Sequence, residues 1–431
     1  MTTLLYWFRN DLRLHDNPTF GRACEQASQL VPVYCRPPET TTEWGFARRG
    51  VHRQTFTASA LQGLQQQLQA RHSDLLILDG EASELLPALA AEVGASGVIC
   101  EDIAAPEEQQ QVQQLQAQGL TVDAVWQSSL LDYTDLTQLM GRQPASFTVF
   151  RQRIEGSGLQ IPLPLDTLQQ LPPLPASLPS QDLPSSRVAE VRNDPRSSFP
   201  YATAACDGTE TTALQHLHQY LERKLPHSYK QTRNGLSGLD FSSKFSPWLA
   251  TGALSARTIY AALQQFEQVH GANEGSYWLW FELLWRDYFR FIHLQYGKRL
   301  YHYQGLRSEH ALAPKPATQI KALTRWCAGQ TGEPLVDAGM RELAATGYLS
   351  NRLRQIVASY WIHDLGGDWR AGAAWFEAQL VDYDVYSNHG NWLYIAGRGT
   401  DPRGGRRFYP QKQAREHDPQ GHYQSLWSAT T

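Results

Sequence analysis

The first 130 residues alternate short apolar runs with longer stretches of helical character. The runs are five or six residues long and occupy 4–8, 30–35, 75–79, 97–102 and 121–126. Stretches rich in Gln and Ala separate them at 48–71, 81–93 and 106–118. Short buried-type strands that alternate with helices predict a doubly wound parallel sheet. Such a sheet binds ligands at the carboxyl ends of its strands.

A proline-rich segment separates this pattern from the second half. Residues 159–184 hold seven prolines, which exclude long helices and central strands. The leucines between them predict that the segment lies along a protein surface. We therefore divide the chain into an α/β domain at 1–135, a connector at 136–205 and a third domain at 206–431.

The third domain has a helical pattern. Apolar residues recur at intervals of three and four, which predicts helices. These intervals occur at 209–225, 255–270, 276–297, 340–365 and 369–381. The fold class is therefore an α/β domain followed by a mostly α-helical domain.

Charge and tryptophan content differ between the two halves. Residues 1–200 carry 14 Lys and Arg against 22 Asp and Glu, whereas residues 201–431 carry 24 against 20. Ten of the 13 tryptophans lie after residue 201. A basic, aromatic-rich half is typical of a surface that binds a polyanion, although ordinary solvated charge explains the same numbers.

An arginine-rich segment near the C-terminus raises the same alternatives. Its arginines stand among glycines, as in a loop that faces phosphates, but a solvated loop has the same composition. The residues concerned are Arg398, Arg403, Arg406 and Arg407.

Several classes of protein are disfavoured. The five cysteines are scattered and include no CxxC pair, so neither a zinc site nor a disulfide framework is indicated. No apolar run approaches about 18 residues, and charge at Arg9 interrupts any signal-peptide core. No GxGxxG follows a predicted strand, so the nicotinamide dinucleotide fingerprint is missing. We expect a cytoplasmic, monomeric protein without a bound metal.

A first candidate site is the segment 229–252, in which a Gly- and Ser-rich loop leads into a helix predicted to start near Pro247. Backbone N–H groups and hydroxyls at a helix start suit a phosphate or pyrophosphate. Ser242, Ser243, Lys244 and Ser246 are the candidate ligands, and a simple helix cap is the alternative.

Three further segments gather polar residues among apolar ones. In 278–291, Glu282 and Arg286 stand four apart beside Trp285, which predicts an ion pair on one helix face. In 347–355, a single helix carries Asn351, Arg354 and Gln355. In 380–394, Asp382, Asp384 and Asn388 form a polar cluster that is better suited to hydrogen-bonding a polar ligand than to holding a metal.

Taken together, these segments resemble the photolyase/cryptochrome family. The match begins at WFRNDLRLHDNPTF (7–20) and continues through TRNGLSGLDFSSKFSPWLATG, ELLWRDYFRF and ATGYLSNRLRQ. These strings are most similar to the cryptochrome DASH subgroup. The resemblance implies an α/β domain, a long connector and a helical domain that holds FAD in a folded conformation.

The resemblance also implies roles for the cofactor-site residues. Asn388 falls at the position that faces flavin N5. The phosphates and the ribityl chain would lie against the loop, and the flavin and adenine rings against the polar cluster. The residues concerned are Tyr229, Ser242, Ser243, Lys244, Phe245, Ser246, Arg286, Arg354, Asp382, Asp384 and Asn388.

A second implied site is a pocket for a pyrimidine dimer, lined by Glu282, Trp285, Asn351, Gln355 and Tyr394. Gln355 and Tyr394 replace the methionine and tryptophan of ordinary photolyases. Fewer apolar contacts then offset flipping the dimer out of a duplex, which implies a preference for single-stranded DNA. The implied activity is that of a deoxyribodipyrimidine photo-lyase, and a blue-light photoreceptor that binds DNA without efficient repair is the alternative.

The resemblance further implies that Trp392 and then Trp369 carry electrons to the flavin. The family's outer tryptophan is missing, because the stretch about ten residues before Trp326 reads LAPKPATQIK. Trp326, Trp375, Tyr301 and Tyr303 are alternative substitutes, and the sequence does not choose among them.

Many members of the family also carry an antenna, often 5,10-methenyltetrahydrofolate. The acidic segment CEDIAAPEEQQ (100–110) lies where a carboxylate binds the pterin. Glu107 and Glu108 are both candidates for that carboxylate, and solvated surface is the alternative.

Overall fold

The computed structural model describes residues 2–141, 146–178, 191, 193–307, 313, 316–401 and 404–428. Its N-terminal half contains the parallel five-stranded sheet that the apolar runs predict. The strands are Thr3–Phe8 (β1), Gln29–Arg36 (β2), Leu76–Asp79 (β3), Gly97–Glu101 (β4) and Val122–Val125 (β5). They lie side by side in the order β3-β2-β1-β4-β5, so the strand order reverses between β1 and β4.

Helices cover both faces of this sheet because successive strand residues point to opposite sides. In β1, Tyr6 and Phe8 pack against Phe20, while Leu5 and Trp7 join the separate core that contains Leu86. The covering helices are Pro18–Gln26 (α1), Val51–Gln69 (α2), Ala82–Val93 (α3) and Pro106–Ala117 (α4).

Two short helices, Tyr133–Met140 (α5) and Phe147–Ser157 (α6), precede the proline-rich segment. The described residues between 158 and 209 contain neither helix nor strand, as the prolines predict. Buried hydrogen bonds join the two halves: Arg13 donates to the Gly252 carbonyl at 2.9 Å, and Asp16 pairs with Arg257 at 2.6 Å. The domain boundaries at 135 and 205 remain predictions.

The C-terminal half is helical. Its longest described helix, Glu274–Tyr296 (α11), begins with a capping box in which Asn273 and Ser276 bond each other's backbone N–H groups. The helices are Glu210–Glu222 (α7), Tyr229–Thr232 (α8), Ser246–Thr251 (α9), Ala256–His270 (α10), Glu274–Tyr296 (α11), Pro316–Cys327 (α12), Pro334–Thr346 (α13), Asn351–Ser359 (α14), Trp369–Gln379 (α15), Val385–Ile395 (α16), Pro410–His417 (α17) and His422–Leu426 (α18).

One predicted helical stretch, 340–365, is interrupted. Helix α13 ends at Gly347, whose φ of +66° is a left-handed helix stop, and Ser350 then caps α14. A one-turn π-helix at Tyr360–Asp364 follows α14. The apolar spacing is the same on both sides of the break, so the periodicity alone does not reveal it.

Among the described residues, no helix combines the length and the apolar character needed to cross a bilayer.

Candidate functional site

A cavity lies between α14, α15 and α16 in the helical half. Seven of the predicted site residues line this cavity, and they lie up to 41 residues apart in the chain. Its walls are formed by Asn351, Arg354, Gln355, Ala358, Phe376, Leu380, Asp382, Tyr383, Asp384, Ser387, Asn388, Asn391, Trp392 and Ile395.

One polar wall is an ion pair between Arg354 and Asp382. The Arg354 Nη2 and Asp382 Oδ2 atoms are 2.8 Å apart, and Arg354 Nε also donates to the Leu349 carbonyl. The Asp382 side chain is 1% exposed, yet its Oδ1 atom has no hydrogen-bond partner. A buried carboxylate oxygen without a partner is costly, so this atom favours a ligand donor in the cavity.

Asp384 holds the other polar wall. Arg290 donates to both of its carboxylate oxygens, at 3.1 and 3.3 Å, and Ser387 donates its backbone N–H. Burial opposes the charge on Asp384, but Arg290, Arg286 and the Ser387 hydrogen bonds hold its pKa below the usual range. Asp384 is therefore an anion that also caps α16.

The predicted ion pair between Glu282 and Arg286 is wrong. Glu282 instead pairs with Arg233, with 2.5 Å between Oε1 and Nη1, and Arg286 donates to the Ser128 carbonyl. Both partners come from distant segments, so the four-residue spacing could not identify them. Burial, followed by the charge of Arg290, lowers the pKa of Arg286 to about 9. Burial raises the pKa of Glu282, against the opposing effect of Arg233.

Asn388 and Trp392 lie one turn apart on α16 and face the same cavity. The Asn388 amide donates to the Ala373 carbonyl at 3.0 Å, which fixes the orientation of the side chain. The Trp392 ring packs against Phe376, with ring centroids 5.1 Å apart, and against the backbone of Gly372. The cavity therefore has an aromatic wall beside its polar one.

The Gly- and Ser-rich loop has an unusual backbone. Ser242 and Lys244 adopt φ of +63° and +58°, a left-handed conformation that costs non-glycine residues roughly 1–2 kcal/mol each. Lys244 is buried and its Nζ donates to the Tyr348 hydroxyl at 3.1 Å. Strain of this kind concentrates at ligand-binding loops.

The rest of the loop agrees with the predicted helix start. Helix α9 begins at Ser246, one residue before Pro247, and Ser246 is exposed while Phe245 is buried. The Ser243 carbonyl bonds to the His216 ring, and Tyr229 is buried at the start of α8.

The predicted dimer-pocket residues are distributed over two cavities. Asn351 and Gln355 line the cavity described above. Trp285 and Tyr394 line a second cavity, where their ring centroids are 5.6 Å apart. Phe147, from α6, stacks on Trp285 with 3.7 Å between centroids and 12° between planes. Glu282 is not among the described lining residues of either cavity.

The two inner tryptophans of the predicted chain are both buried. Trp369 donates its indole N–H to the Tyr303 carbonyl at 2.9 Å, and its ring lies 6.2 Å from His389. The Trp392 ring lies 6.3 Å from Trp326.

The two candidate antenna carboxylates differ in their environments. Glu107 is exposed and pairs with Arg48 at 2.6 Å. Glu108 is partly buried, and burial raises its pKa. Arg48 also lies 3.7 Å from Glu377, whose pKa burial raises to about 7.

The arginines of the C-terminal segment are held by protein partners. Arg398 lies over the Tyr303 ring at 4.1 Å, Arg406 pairs with Asp401, and Arg407 pairs with Asp364 while remaining half exposed. Arg403 lies outside the described residues.

The sequence analysis missed Arg233 and Arg290. Both contact predicted site residues, and each stands in a motif that was quoted, Arg233 in TRNGLSG and Arg290 in ELLWRDYFRF. Their positions in those motifs could have identified them as site residues.

Two family models match the chain. Residues 4–175 match the model described as DNA photolyase, and residues 278–430 match the model described as the FAD binding domain of DNA photolyase. The fold and the site therefore define a protein with the photolyase architecture and its FAD-binding domain.

The chain is also similar to individual proteins named as cryptochromes or photolyases. Cryptochrome DASH from Xenopus laevis is 41% identical, over 97% of this chain and 81% of its own length. The cryptochrome structure from Synechocystis is 39% identical with a TM-score of 0.90, over 99% and 88% of the two chains. A class III photolyase structure from Agrobacterium tumefaciens is 27% identical with a TM-score of 0.82, over 99% and 86%. The chain belongs to the photolyase/cryptochrome family.

The residues present fit FAD. An aromatic wall at Trp392 and Phe376 suits a flat ring system, and the unpartnered Asp382 Oδ1 atom suits its ring N–H donors. The strained loop with Lys244 suits the anionic phosphates.

Proposed function

We propose that this protein is a blue-light-driven photolyase that repairs cyclobutane pyrimidine dimers, preferentially in single-stranded DNA. One observation carries the proposal. Asn351 and Gln355, which would touch the dimer, line the same cavity as Asp382, Asp384 and Asn388, which would hold the flavin. A dimer in that cavity would meet the flavin without intervening protein.

The cofactor would supply the chemistry: under blue light, bound reduced FAD would provide the one electron that opens the cyclobutane ring and that returns afterwards. The cavity residues would hold FAD in place. Arg354 and Asp382 would fix one edge of the flavin and Asn388 the region of N5. Lys244 and the serines around it would hold the phosphates.

Glu282 would stabilise charge that develops on the pyrimidine carbonyls. Burial raises the pKa of Glu282 against the opposing charge of Arg233. A Glu282 carboxyl that takes up a proton would donate a hydrogen bond to a carbonyl oxygen. Arg233 now occupies one of its oxygens, so substrate would have to displace or share that contact.

Trp285 and Tyr394, which line the second cavity, would supply an apolar wall of the dimer site. Their edge-to-face rings leave less stacking surface than two tryptophans would. Opening a duplex costs a few kcal/mol per flipped base, so weaker stacking favours substrates that are already single-stranded. Arg398, Arg406 and Arg407 remain the proposed phosphate contacts, together with Arg403.

The test compares single-stranded and duplex DNA. Dithionite-reduced protein is illuminated with ultraviolet-treated oligothymidylate, and repair is followed as the recovery of thymine absorbance. We expect fast recovery on the single strand and slow recovery on the duplex. Glu282→Ala should slow repair while FAD stays bound. The control is Glu274→Ala, an exposed glutamate on the same helix, α11, which should repair normally. No recovery on either DNA would reject repair.

A photoreceptor is the second candidate. Relatives such as the Xenopus laevis protein are named cryptochromes, and Gln355 and Tyr394 weaken the apolar part of the dimer pocket. Light-dependent DNA binding without thymine recovery in the same assay would select this function.

We further propose 5,10-methenyltetrahydrofolate as an antenna beside Glu108. Near that carboxylate, the Tyr301 hydroxyl is buried without a hydrogen-bond partner, and Glu377 and Arg48 add charge. A near-ultraviolet absorption band beside the flavin bands should mark the antenna. Glu108→Gln should lower that band, whereas Glu84→Gln, on α3, should leave it unchanged. Equal loss of the band in both variants would contradict the assignment to Glu108.

Monomeric state and cytoplasmic location also stay proposals. A relative from Arabidopsis thaliana is named chloroplastic/mitochondrial, so cell fractionation is the appropriate test of location. Light scattering of the purified protein tests the monomer.

A further inference from the structure

Phe147 stacks on Trp285 in the way that a nucleobase stacks on an indole ring. The two ring centroids are 3.7 Å apart, the planes are 12° from parallel, and Phe147 is 7% exposed. The other described ring contacts of Trp285 have centroids 5.4–5.7 Å apart and planes inclined by 38–85°. Phe147 therefore covers one face of the Trp285 ring, and the remaining contacts are made at larger angles.

Helix α6 holds Phe147 in this place, because it packs along α11 in the opposite direction. The start of α6 meets α11 at the ring pair of Phe147 and Trp285. The end of α6 meets α11 at Tyr277, whose hydroxyl donates to Glu155 at 2.8 Å and accepts from Arg151 at 2.6 Å. Arg151 also pairs with Glu155 at 2.8 Å. Both ends of α6 are thus attached to α11, which restrains the Phe147 ring.

The second cavity borders this stack. Phe147, Thr148 and Trp285 are among its lining residues, so the cavity gives the Trp285 ring room to turn. Within the described residues, no other ring lies parallel to Trp285 at contact distance. A side chain that loses a closely packed neighbour gains access to other rotamers. Phe147 is therefore the contact that keeps the Trp285 ring in one orientation.

This orientation decides which surface Trp285 offers to a substrate. A pyrimidine stacks on the face of an aromatic ring, and one face of Trp285 is already filled by Phe147. The opposite face is then the one left for a base. Contacts with DNA phosphates position a strand but do not read its bases. Discrimination between a dimer and undamaged pyrimidines therefore depends on rings such as Trp285.

We propose that Phe147 is a positioning residue for dimer recognition: it covers one face of Trp285 and so fixes the indole with its opposite face toward a pyrimidine of the dimer. This inference rests on the proposed function and deepens it. Phe147 itself would not touch the substrate. Because α6 precedes the proline-rich segment, the specificity of the dimer site would depend on a helix outside the helical half of the chain.

The test measures, in the dark, how the FAD-bound protein binds two fluorescent oligothymidylates, one with a single cyclobutane dimer and one undamaged. Phe147→Leu removes the ring and keeps an apolar side chain, whereas Phe147→Tyr keeps the ring. The matched control is Phe150→Leu, one turn further along α6, because Phe150 is fully buried and its described ring contacts do not include Trp285. FAD content and urea midpoints establish that each variant is folded.

We expect Phe147→Leu to weaken binding of the dimer-containing strand at least about tenfold, the order of one lost base–ring stack, and to change binding of the undamaged strand by less than about twofold. Phe147→Tyr and Phe150→Leu should keep the wild-type preference for the dimer. In the repair assay with dithionite-reduced protein, Phe147→Leu should raise the KM for the dimer more than it lowers the rate at saturation.

An unchanged dimer preference in Phe147→Leu would overturn the proposal. An equal loss of preference in Phe150→Leu would also overturn it, because the packing of α6 in general would then be the cause. An equal loss in Phe147→Tyr would exclude the ring stack as the cause. Should Phe147→Leu fail to fold, Phe147→Met, with a flexible side chain of similar size, decides in its place.

Failure of this inference and failure of the proposed function give different results. A wild-type protein that binds both strands equally rejects both. A wild-type protein that repairs the dimer, together with a normal dimer preference in Phe147→Leu, rejects the inference alone. A dimer preference that is lost in Phe147→Leu, without recovery of thymine absorbance in the illuminated wild type, rejects repair and supports the role of Phe147.

Discussion

Gly372 determines how closely Trp392 can approach α15, and Gly372→Ala tests that packing. A Cβ atom at this position would lie 2.6 Å from Trp392 Cζ3 and 2.9 Å from Cζ2, with Cη2 nearer still. Ordinary contacts begin near 3.4 Å, so the ring must move by at least about 0.8 Å at Cζ3. Phe376 and Trp326 pack against the same ring. The cavity is therefore the direction in which Trp392 can move.

Two effects should follow from this displacement. Overpacking of a well-packed core typically costs about 1–3 kcal/mol of unfolding free energy. A ring displaced into the cavity also removes space that the flavin needs, and each 1.4 kcal/mol lost from binding weakens affinity about tenfold. We expect Gly372→Ala to lower the urea midpoint and to release FAD more readily.

The assay compares urea unfolding and FAD retention during gel filtration. Gly156→Ala is the matched control, because Gly156 also lies inside a helix and a Cβ there meets no atom within 4 Å. That variant should be neutral or stabilised by about 0.5–1 kcal/mol, since alanine is the better helix former. The double variant Gly372→Ala/Trp392→Phe should lose less unfolding free energy than the two single variants lose together, because phenylalanine lacks the colliding atoms.

If Gly372→Ala and Gly156→Ala have the same urea midpoint and the same FAD retention, a Cβ atom at position 372 does not displace the Trp392 ring. Additive losses in the double variant would show that the damage arises somewhere other than at the Trp392 ring.

Two further changes test other buried groups. Burial, and after it the charge of Asp11, raises the pKa of Glu101 to about 8. The Glu101 carboxyl therefore stays protonated in the folded chain at pH values above about 4.5, where it loses its proton in the unfolded chain. Stability should therefore fall as pH rises between these values, by at most about 1.4 kcal/mol per pH unit. Glu101→Gln should reduce the pH dependence of the urea midpoint over this range. An unchanged pH dependence in that variant would show that Glu101 is not its cause. Asp287 accepts hydrogen bonds from the backbone N–H groups of Leu130 and Leu131 at 2.9 and 2.8 Å. Asp287→Asn should therefore lower the free energy of unfolding in urea by about 1–3 kcal/mol. The control is Asp135→Asn, at an exposed position, which should leave it unchanged. Equal stability of the two Asn variants would show that these bonds contribute little.

The cavity was largely predictable because its residues come in two compact groups. Asn351, Arg354 and Gln355 share one helix, and Asp382, Asp384 and Asn388 surround the start of another. Residues a few positions apart on a helix or its cap are neighbours whatever the rest of the fold does. The spacing therefore indicated which polar groups would act together.

The contacts of the proposed dimer-pocket residues were less predictable. Glu282 and Trp285 stand three apart on α11, yet one contacts Arg233 and the other Phe147, from elements 49 and 138 residues away in the chain. The helix positions these side chains, but which partner each one contacts depends on how α6 and α8 pack on α11. The same reason explains why the predicted pair between Glu282 and Arg286 was wrong.

The sequence by itself determined the parallel sheet, the proline-rich break and most of the helices, because each depends on periodicity or backbone chemistry within a few residues. Only the tertiary structure decided the contacts among Trp392, Trp326 and Trp361, which lie in three separate segments. It also decided the end of α13 at Gly347 and the ion pairs of Glu282 and Asp384. Contacts between distant segments depend on the packing of whole helices, and the local pattern of residues carries no record of that packing.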